Sequence, residues 1–207
     1  LGLLSMALAA VFMAGQRDFK RMLAYSSVEH MGILAVALGL GGAAVTGAFY
    51  HVLNNGLAKG VLFLAAGNIH RAYGSKRTDE VRGAARRLPV SGPLFLVGFL
   101  AVTGTPPFSP FWSEFMILNG AIGMGRHVVA GLFLLFLAVT FIGMGATVLH
   151  VVQGSDEGAP ESPGFRDSWL TAGPPLVLIL TVLALGLWLP RPLLDLFSAA
   201  ARLVTGA

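Results

Sequence analysis

Residues 43–73 read AAVTGAFYHVLNNGLAKGVLFLAAGNIHRAY, an apolar run with one lysine, Lys59, near its middle. A helix crosses a bilayer with about 20 predominantly apolar residues, and this run supplies them. Phe49 and Ile69 each stand ten positions from Lys59, about 15 Å of helix in either direction. That distance is awkward for a lysine snorkelling to an interface. A charge at bilayer depth costs about 2.5–3.5 kcal/mol on insertion scales, so Lys59 reads as a buried functional group. His51, Asn55 and Lys59 recur every four residues, a spacing that a helix stacks on one face. Such a face is a plausible relay for protons.

The rest of the chain has the same character. Hydrophobic residues make up 55% of the 207 positions and charged residues 12%, with a mean hydropathy of +0.75. Soluble domains carry about 25% charged residues, so the composition is that of an all-α integral membrane protein. The chain has no cysteine, which excludes disulfides, thiol chemistry and iron–sulfur ligation within it; no cofactor is expected. The formal charge of +4 resembles that of a nucleic-acid binder, but the basic residues gather at helix ends. Topology explains them better, and no nucleic-acid partner is expected. Leu1 opens the chain inside an apolar run without a basic n-region or a cleavage pattern. This predicts an internal start rather than a signal peptide.

Six membrane crossings are predicted: Leu1–Gly15, Met22–Leu40, Ala43–Tyr73, Val90–Ile122, His127–Val152 and Ser168–Leu189. They form one transmembrane unit over residues 1–190, followed by a tail over 191–207. Leu193, Leu194, Phe197, Ala201 and Leu203 give Arg191–Val204 the pattern of a short interfacial helix. Gln153–Asp167 is a polar, acidic loop rich in Pro and Gly. The odd loops carry ten Lys/Arg: Arg17, Lys20, Arg21, Arg71, Lys76, Arg77, Arg82, Arg86, Arg87 and Arg166. The opposite face carries three: Arg126, Arg191 and Arg202. By the positive-inside rule the basic loops are cytoplasmic and both termini face outward, in a multi-pass protein of the cell's inner (plasma) membrane.

Val90–Ile122 is too long for one straight span and is interrupted by Thr103-Gly-Thr-Pro-Pro-Phe-Ser-Pro110. Pro106, Pro107 and Pro110 supply no backbone N–H, and Gly104 adds freedom. Irregular backbone at this depth survives only when buried in protein or lining a water-filled cavity. Broken helices of this kind build ion sites in transporters. Glu114 lies about one turn beyond the break, where an ionisable group can meet water.

Other polar residues admit two readings. Glu29 and His30, in a polar half-helix with Tyr25, Ser26 and Ser27, are either an interfacial polar turn or titrating members of the path. His51 alone would be a packing histidine; its alignment with Lys59 raises the relay reading. No second histidine or carboxylate stands at i+4 from His51, so the spacing predicts no metal site. His70 and His150, at helix ends, read as interfacial. Gly56-x-x-x-Gly60 matches a helix-packing motif, weakly so in a chain with 27 glycines.

Three ordered motifs carry a family resemblance: Asp18-Phe-Lys-Arg-Met-Leu-Ala-Tyr-Ser-Ser-Val-Glu-His-Met-Gly32; His51-x-x-x-Asn55-x-x-x-Lys59 with Leu62-Phe63 and Ala66-Gly67; and Gly104-Thr-Pro-Pro-Phe with Ser113-Glu114-Phe115. They resemble the proton-conducting antiporter-like subunits of respiratory complex I, Mrp sodium/proton antiporters and energy-converting hydrogenases. The wording around Glu29 is most similar to hydrogenase-4 component F. The resemblance implies a fourteen-helix subunit with two inverted five-helix repeats, each carrying a broken helix. This chain matches the part from about the ninth helix onward. On that mapping Lys59 is the lysine of the central hydrophilic axis, and Glu114 is the charged residue beside the second broken helix, where the proton leaves outward. His51 matches a family histidine. Asn55 stands where many relatives have another histidine; asparagine orients a water but does not titrate. The family's glutamate–lysine pair and first broken helix would lie ahead of Leu1.

The expected function is proton translocation coupled to redox chemistry in partner subunits, the chain itself holding no redox centre. The implied partners are other membrane subunits, peripheral hydrogenase or dehydrogenase subunits, and the lipid bilayer. The alternatives are a cation/proton antiporter subunit of Mrp type and a truncated scaffold that only docks partners.

Overall fold

The computed structural model describes residues 1–154 and 165–206, and among these the regular structure is helical. The elements are α1 (Gly2–Met13), α2 (Phe19–Leu40), α3 (Ala43–Tyr73), α4 (Ala84–Arg87), α5 (Ser91–Val102), α6 (Ser109–Gly123), α7 (His127–Val152), α8 (Trp169–Leu187) and α9 (Arg191–Thr205). Residues 155–164 of the acidic loop lie outside the described residues.

The boundaries of α3 and α7 coincide with those expected from hydropathy. α2 starts three residues before the apolar run because Asp18 caps it: Oδ1 accepts from Lys20 N (2.9 Å) and Arg21 N (3.0 Å). The stretch Val90–Ile122 is two helices, α5 and α6, joined by 103–108. The one-turn α4 lies in the basic loop, where hydropathy gave no signal. Among the described residues three helices are long and apolar enough to cross a membrane, namely α2, α7 and α8; α1 and α5 are apolar but shorter. α3 is the longest at 31 residues, and its own polar side chains keep it out of that set.

α3 is the hub, packed against α2, α5, α6, α8 and α9. One core surrounds its second half, where Leu62, Ala65 and Ile69 meet Phe95 and Phe99 of α5 and Val148 of α7. A second joins Met6 of α1, Ile33 of α2, Ala44 of α3, Ile117 of α6 and Phe133 of α7. Between apolar helices in lipid, close backbone approach does the work that hydrophobic burial does in water. α1 and α2 show it: a Cβ on Gly32 would stand 2.8 Å from Gly2 O. The Gly56/Gly60 pair is not such a contact, since Gly56 faces open space and Gly60 meets only the Leu178 side chain.

The first and third basic loops meet on one side. Phe19 N donates to Lys76 O (3.1 Å), Thr78 N donates to Arg17 O (2.8 Å), and Lys76 Nζ lies 3.3 Å from Asp18 Oδ2. In the same loop the Arg77 side chain hydrogen-bonds Asp79 and draws its carboxyl below the usual carboxylate range. Asp167 reaches this side too, accepting at Oδ2 from Val90 N (2.8 Å) and Ser91 N (3.0 Å) at the start of α5.

A polar knot ties α3, α5 and α8. Pro174 and Pro175 lie inside α8, and Pro175 has no N–H to return to the Thr171 carbonyl one turn earlier. Asn68 Nδ2 donates to Thr171 O instead (2.9 Å), and also to Ser91 Oγ (2.9 Å). Asn68→Ala leaves that carbonyl without a donor and is expected to destabilise the fold by about 1–3 kcal/mol. Thermal unfolding in detergent reads this as a lowered midpoint, with Ser91→Ala giving a smaller drop.

Candidate functional site

The site lies where α2, α3 and α6 converge. Lys59 on α3 is 8% exposed. Its Nζ donates to Leu23 O (3.2 Å), to Ser27 Oγ (3.1 Å) and, in a short contact, to Ser26 Oγ. An ammonium has three N–H donors, and three oxygens from the second and third turns of α2 receive them. Glu29, 2% exposed, stands close enough to Lys59 for their charges to act on each other. Thr140 of α7 is its other polar neighbour.

One turn further along α2, His30 meets His51 of α3, with His30 Nδ1 and His51 Nε2 3.0 Å apart. On its other edge His51 Nδ1 lies 3.0 Å from Ser113 Oγ of α6. The Ser113 hydroxyl donates to Pro110 O (2.8 Å). A hydroxyl has one proton, so the arrangement that satisfies every contact has His51 donating from Nδ1 to Ser113. His51 Nε2 then accepts from His30 Nδ1. This assignment gives the pair a direction: hydrogen bonds run from α2 through α3 to α6.

Glu114, next to Ser113 on α6, is 7% exposed, and its Oε1 has no hydrogen-bond partner among the described residues. Its ligand oxygen and the ring nitrogens of His30 and His51 all lie within 4.8 Å of one another. The carboxylate packs against the interruption between α5 and α6. Gly104 has φ +65°, and a Cβ there would overlap the Glu114 carboxyl group. Asn54 Nδ2 of α3 donates to Ser109 O (3.0 Å), the first residue of α6. Glu114 also lines a groove of about 490 Å³ with Thr103, Gly104, Phe111, Phe133 and Phe141.

Lys59, His51, Glu29, His30 and Glu114 are therefore all buried, and His30, His51 and Glu114 lie within one cluster. Asn55, between His51 and Lys59 on α3, is half-buried, and its Oδ1 is enclosed without a hydrogen-bond partner among the described residues. Asn54 is the fully buried amide. Ser26 and Ser27 read only as a polar half-helix in the sequence, and Ser113 only as part of a motif. The spacing test for metal ligands searched along one helix, whereas His30, His51 and Glu114 come from three. His70 sits half-buried in the last turn of α3 and His150 is exposed near the end of α7.

Residues 1–143 match the family described as NADH:quinone oxidoreductase/Mrp antiporter, TM. The chain is 34% identical over 207 residues to the hydrogenase-4 component F homolog of Methylacidiphilum infernorum (isolate V4), covering 99% of this chain and 42% of that protein. Its fold matches a chain of respiratory complex I from Thermus thermophilus with bound NADH, with a TM-score of 0.83 and 28% identity over 99% of this chain and 44% of that one. It also matches a chain of the Mrp complex from Dietzia sp. DQ12-45-1b, with a TM-score of 0.86, covering 99% of this chain and 47% of that one. At 22% identity that last likeness is one of fold. The chain thus spans less than half the length of these relatives.

Gly104→Ala tests the packing of the carboxylate against the break. A non-glycine residue in the left-handed region costs about 1–2 kcal/mol, and overlap with Glu114 adds to it. The thermal midpoint is expected to fall, and pairing the change with Glu114→Ala is expected to restore part of the loss. Strictly additive losses in the double variant would show that no overlap exists.

Proposed function

The chain belongs to the NADH:quinone oxidoreductase/Mrp antiporter transmembrane family, and we propose that it forms part of a proton-translocating subunit of a hydrogenase-4-like or complex I-like membrane complex. One observation carries the reading: five buried ionisable groups, Lys59, Glu29, His30, His51 and Glu114, stand on three packed helices, three of them within one cluster. Lipid penalises each of them, and a protein retains such groups at membrane depth for charge movement.

Lys59 stores the proton in its cradle of three oxygens. Glu29 lies beside it and adjoins His30 in sequence, so it links the lysine to the histidine pair. His30 passes a proton from Nδ1 to His51 Nε2, and Glu114 receives it at the break and hands it outward through the groove. Protonation of each group changes the proton affinity of the next by Coulomb interaction, which is strong at low dielectric. Asn55 contributes by orienting water at the edge of this path.

In this reading α5 and α6 together make one crossing, interrupted at Gly104, Pro106, Pro107 and Pro110. With α1, α2, α3, α7 and α8 the crossings number six, residues 1–190 form the transmembrane unit, and α9 lies at the interface. The joined basic loops face the cytoplasm and both termini face outward across the inner (plasma) membrane, as the excess of Lys/Arg favours. Other membrane subunits flank the chain, and redox chemistry resides in peripheral hydrogenase or dehydrogenase subunits.

The test is proton flux in vesicles holding the assembled complex, followed with a pH-sensitive dye. Lys59→Ala and Glu114→Gln are each expected to lower flux at least about 100-fold, the low end of what a positioned acid–base group contributes. His127→Ala, at the exposed start of α7, is the control and is expected to leave flux unchanged. Full flux in both pathway variants would rule the reading out.

A further inference from the structure

The junction of α2, α3 and α6 has the donor set of a metal site as well as that of a relay. We propose that His30, His51 and Glu114 form a three-ligand site for a divalent transition-metal ion of the zinc class. Two imidazoles and one carboxylate with an open fourth position are an established zinc donor set.

Three observations support it independently of proton transfer. First, the three ligand atoms lie within 4.8 Å of one another. The two nitrogens are 3.0 Å apart, near the roughly 3.3 Å between tetrahedral ligands at zinc–nitrogen distances of about 2.0–2.1 Å. Second, the outer contact of His51 is in place. His51 donates from Nδ1 to Ser113 Oγ, which fixes the ring with its Nε2 lone pair facing the cluster, as second-shell partners of metal-bound histidines do. His30 offers Nδ1 when its proton resides on Nε2. Third, Glu114 Oε1 is buried without a hydrogen-bond partner among the described residues, and the carboxylate lines the groove through which an ion would arrive. Nitrogen-rich donors favour zinc, nickel or copper over magnesium or calcium.

Occupancy takes both imidazole lone pairs and the Glu114 carboxylate away from any proton they would pass. Metal binding stands apart from the relay; its inhibition of flux rests on the function proposed above.

The purified full chain, loaded with Zn²⁺ alone, is expected to bind one ion per chain. X-ray absorption at the zinc edge is expected to show two imidazole nitrogens and one carboxylate oxygen at about 2.0–2.2 Å. Ser113→Ala is expected to weaken binding about 10–100-fold through the outer contact, and His30→Ala, His51→Ala and Glu114→Gln at least as much. Helicity and thermal midpoint, measured on each variant, separate ligand loss from unfolding, and Glu114→Gln preserves the side-chain shape. Zinc that leaves with His70→Ala, His127→Ala or His150→Ala, or no stoichiometric zinc in the folded chain, overturns the proposal. Zinc bound as stated, in a complex whose flux survives Lys59→Ala, retains the site and removes the relay. Flux that depends on Lys59 but is insensitive to zinc, in a chain that binds none, does the reverse.

Discussion

The Lys59 ammonium needs three acceptors in a medium that offers none, and α2 supplies them. Leu23 O, Ser26 Oγ and Ser27 Oγ receive its donors, which fixes the height at which α2 passes α3. A charge left unpaired at that depth would cost several kcal/mol. Once the two helices are in this register, His30 falls opposite His51 and Glu29 falls beside the lysine. The histidine pair is thus a consequence of how the lysine is satisfied.

The same rule governs the interruption between α5 and α6. Prolines there remove donors and leave backbone groups that lipid cannot satisfy. Asn54 ties α3 to the start of α6 by donating to Ser109 O, and Gly104 gives up its side chain so that the Glu114 carboxylate can lie against the turn. Backbone freed by proline is satisfied in α8, where Asn68 covers the Thr171 carbonyl. α3 therefore carries the polar side chains that repair its neighbours as well as those that bear charge. This explains how a helix at the centre of the bundle can be the least apolar of the long ones.

Much of this was legible in the chain. Hydropathy marked α3 and α7 to the residue, because nothing competes with a long apolar run between polar ends. It misplaced the start of α2, where the Asp18 cap outweighs the polar Lys20 and Arg21 that follow. Pro106 and Pro107 fall in the segment that separates α5 from α6, and Lys59 and Glu114 announced themselves by the cost of a charge in apolar surroundings. The four-residue spacing that aligned Asn55 with His51 and Lys59 could not mark Asn54, whose full burial depends on which helices pack alongside.

The sequence by itself determined the class of molecule and which side chains are too costly at depth to be incidental. Each follows from local composition measured against one physical scale, the free energy of transfer into lipid. The tertiary structure alone decided what those side chains touch. The hydroxyls of Ser26, Ser27 and Ser113 are ordinary in sequence and become ligands of Lys59 and His51 only when three helices converge. His30, His51 and Glu114 are separated by 21 and 63 positions and meet within 4.8 Å. No periodicity along one helix records a contact made across three.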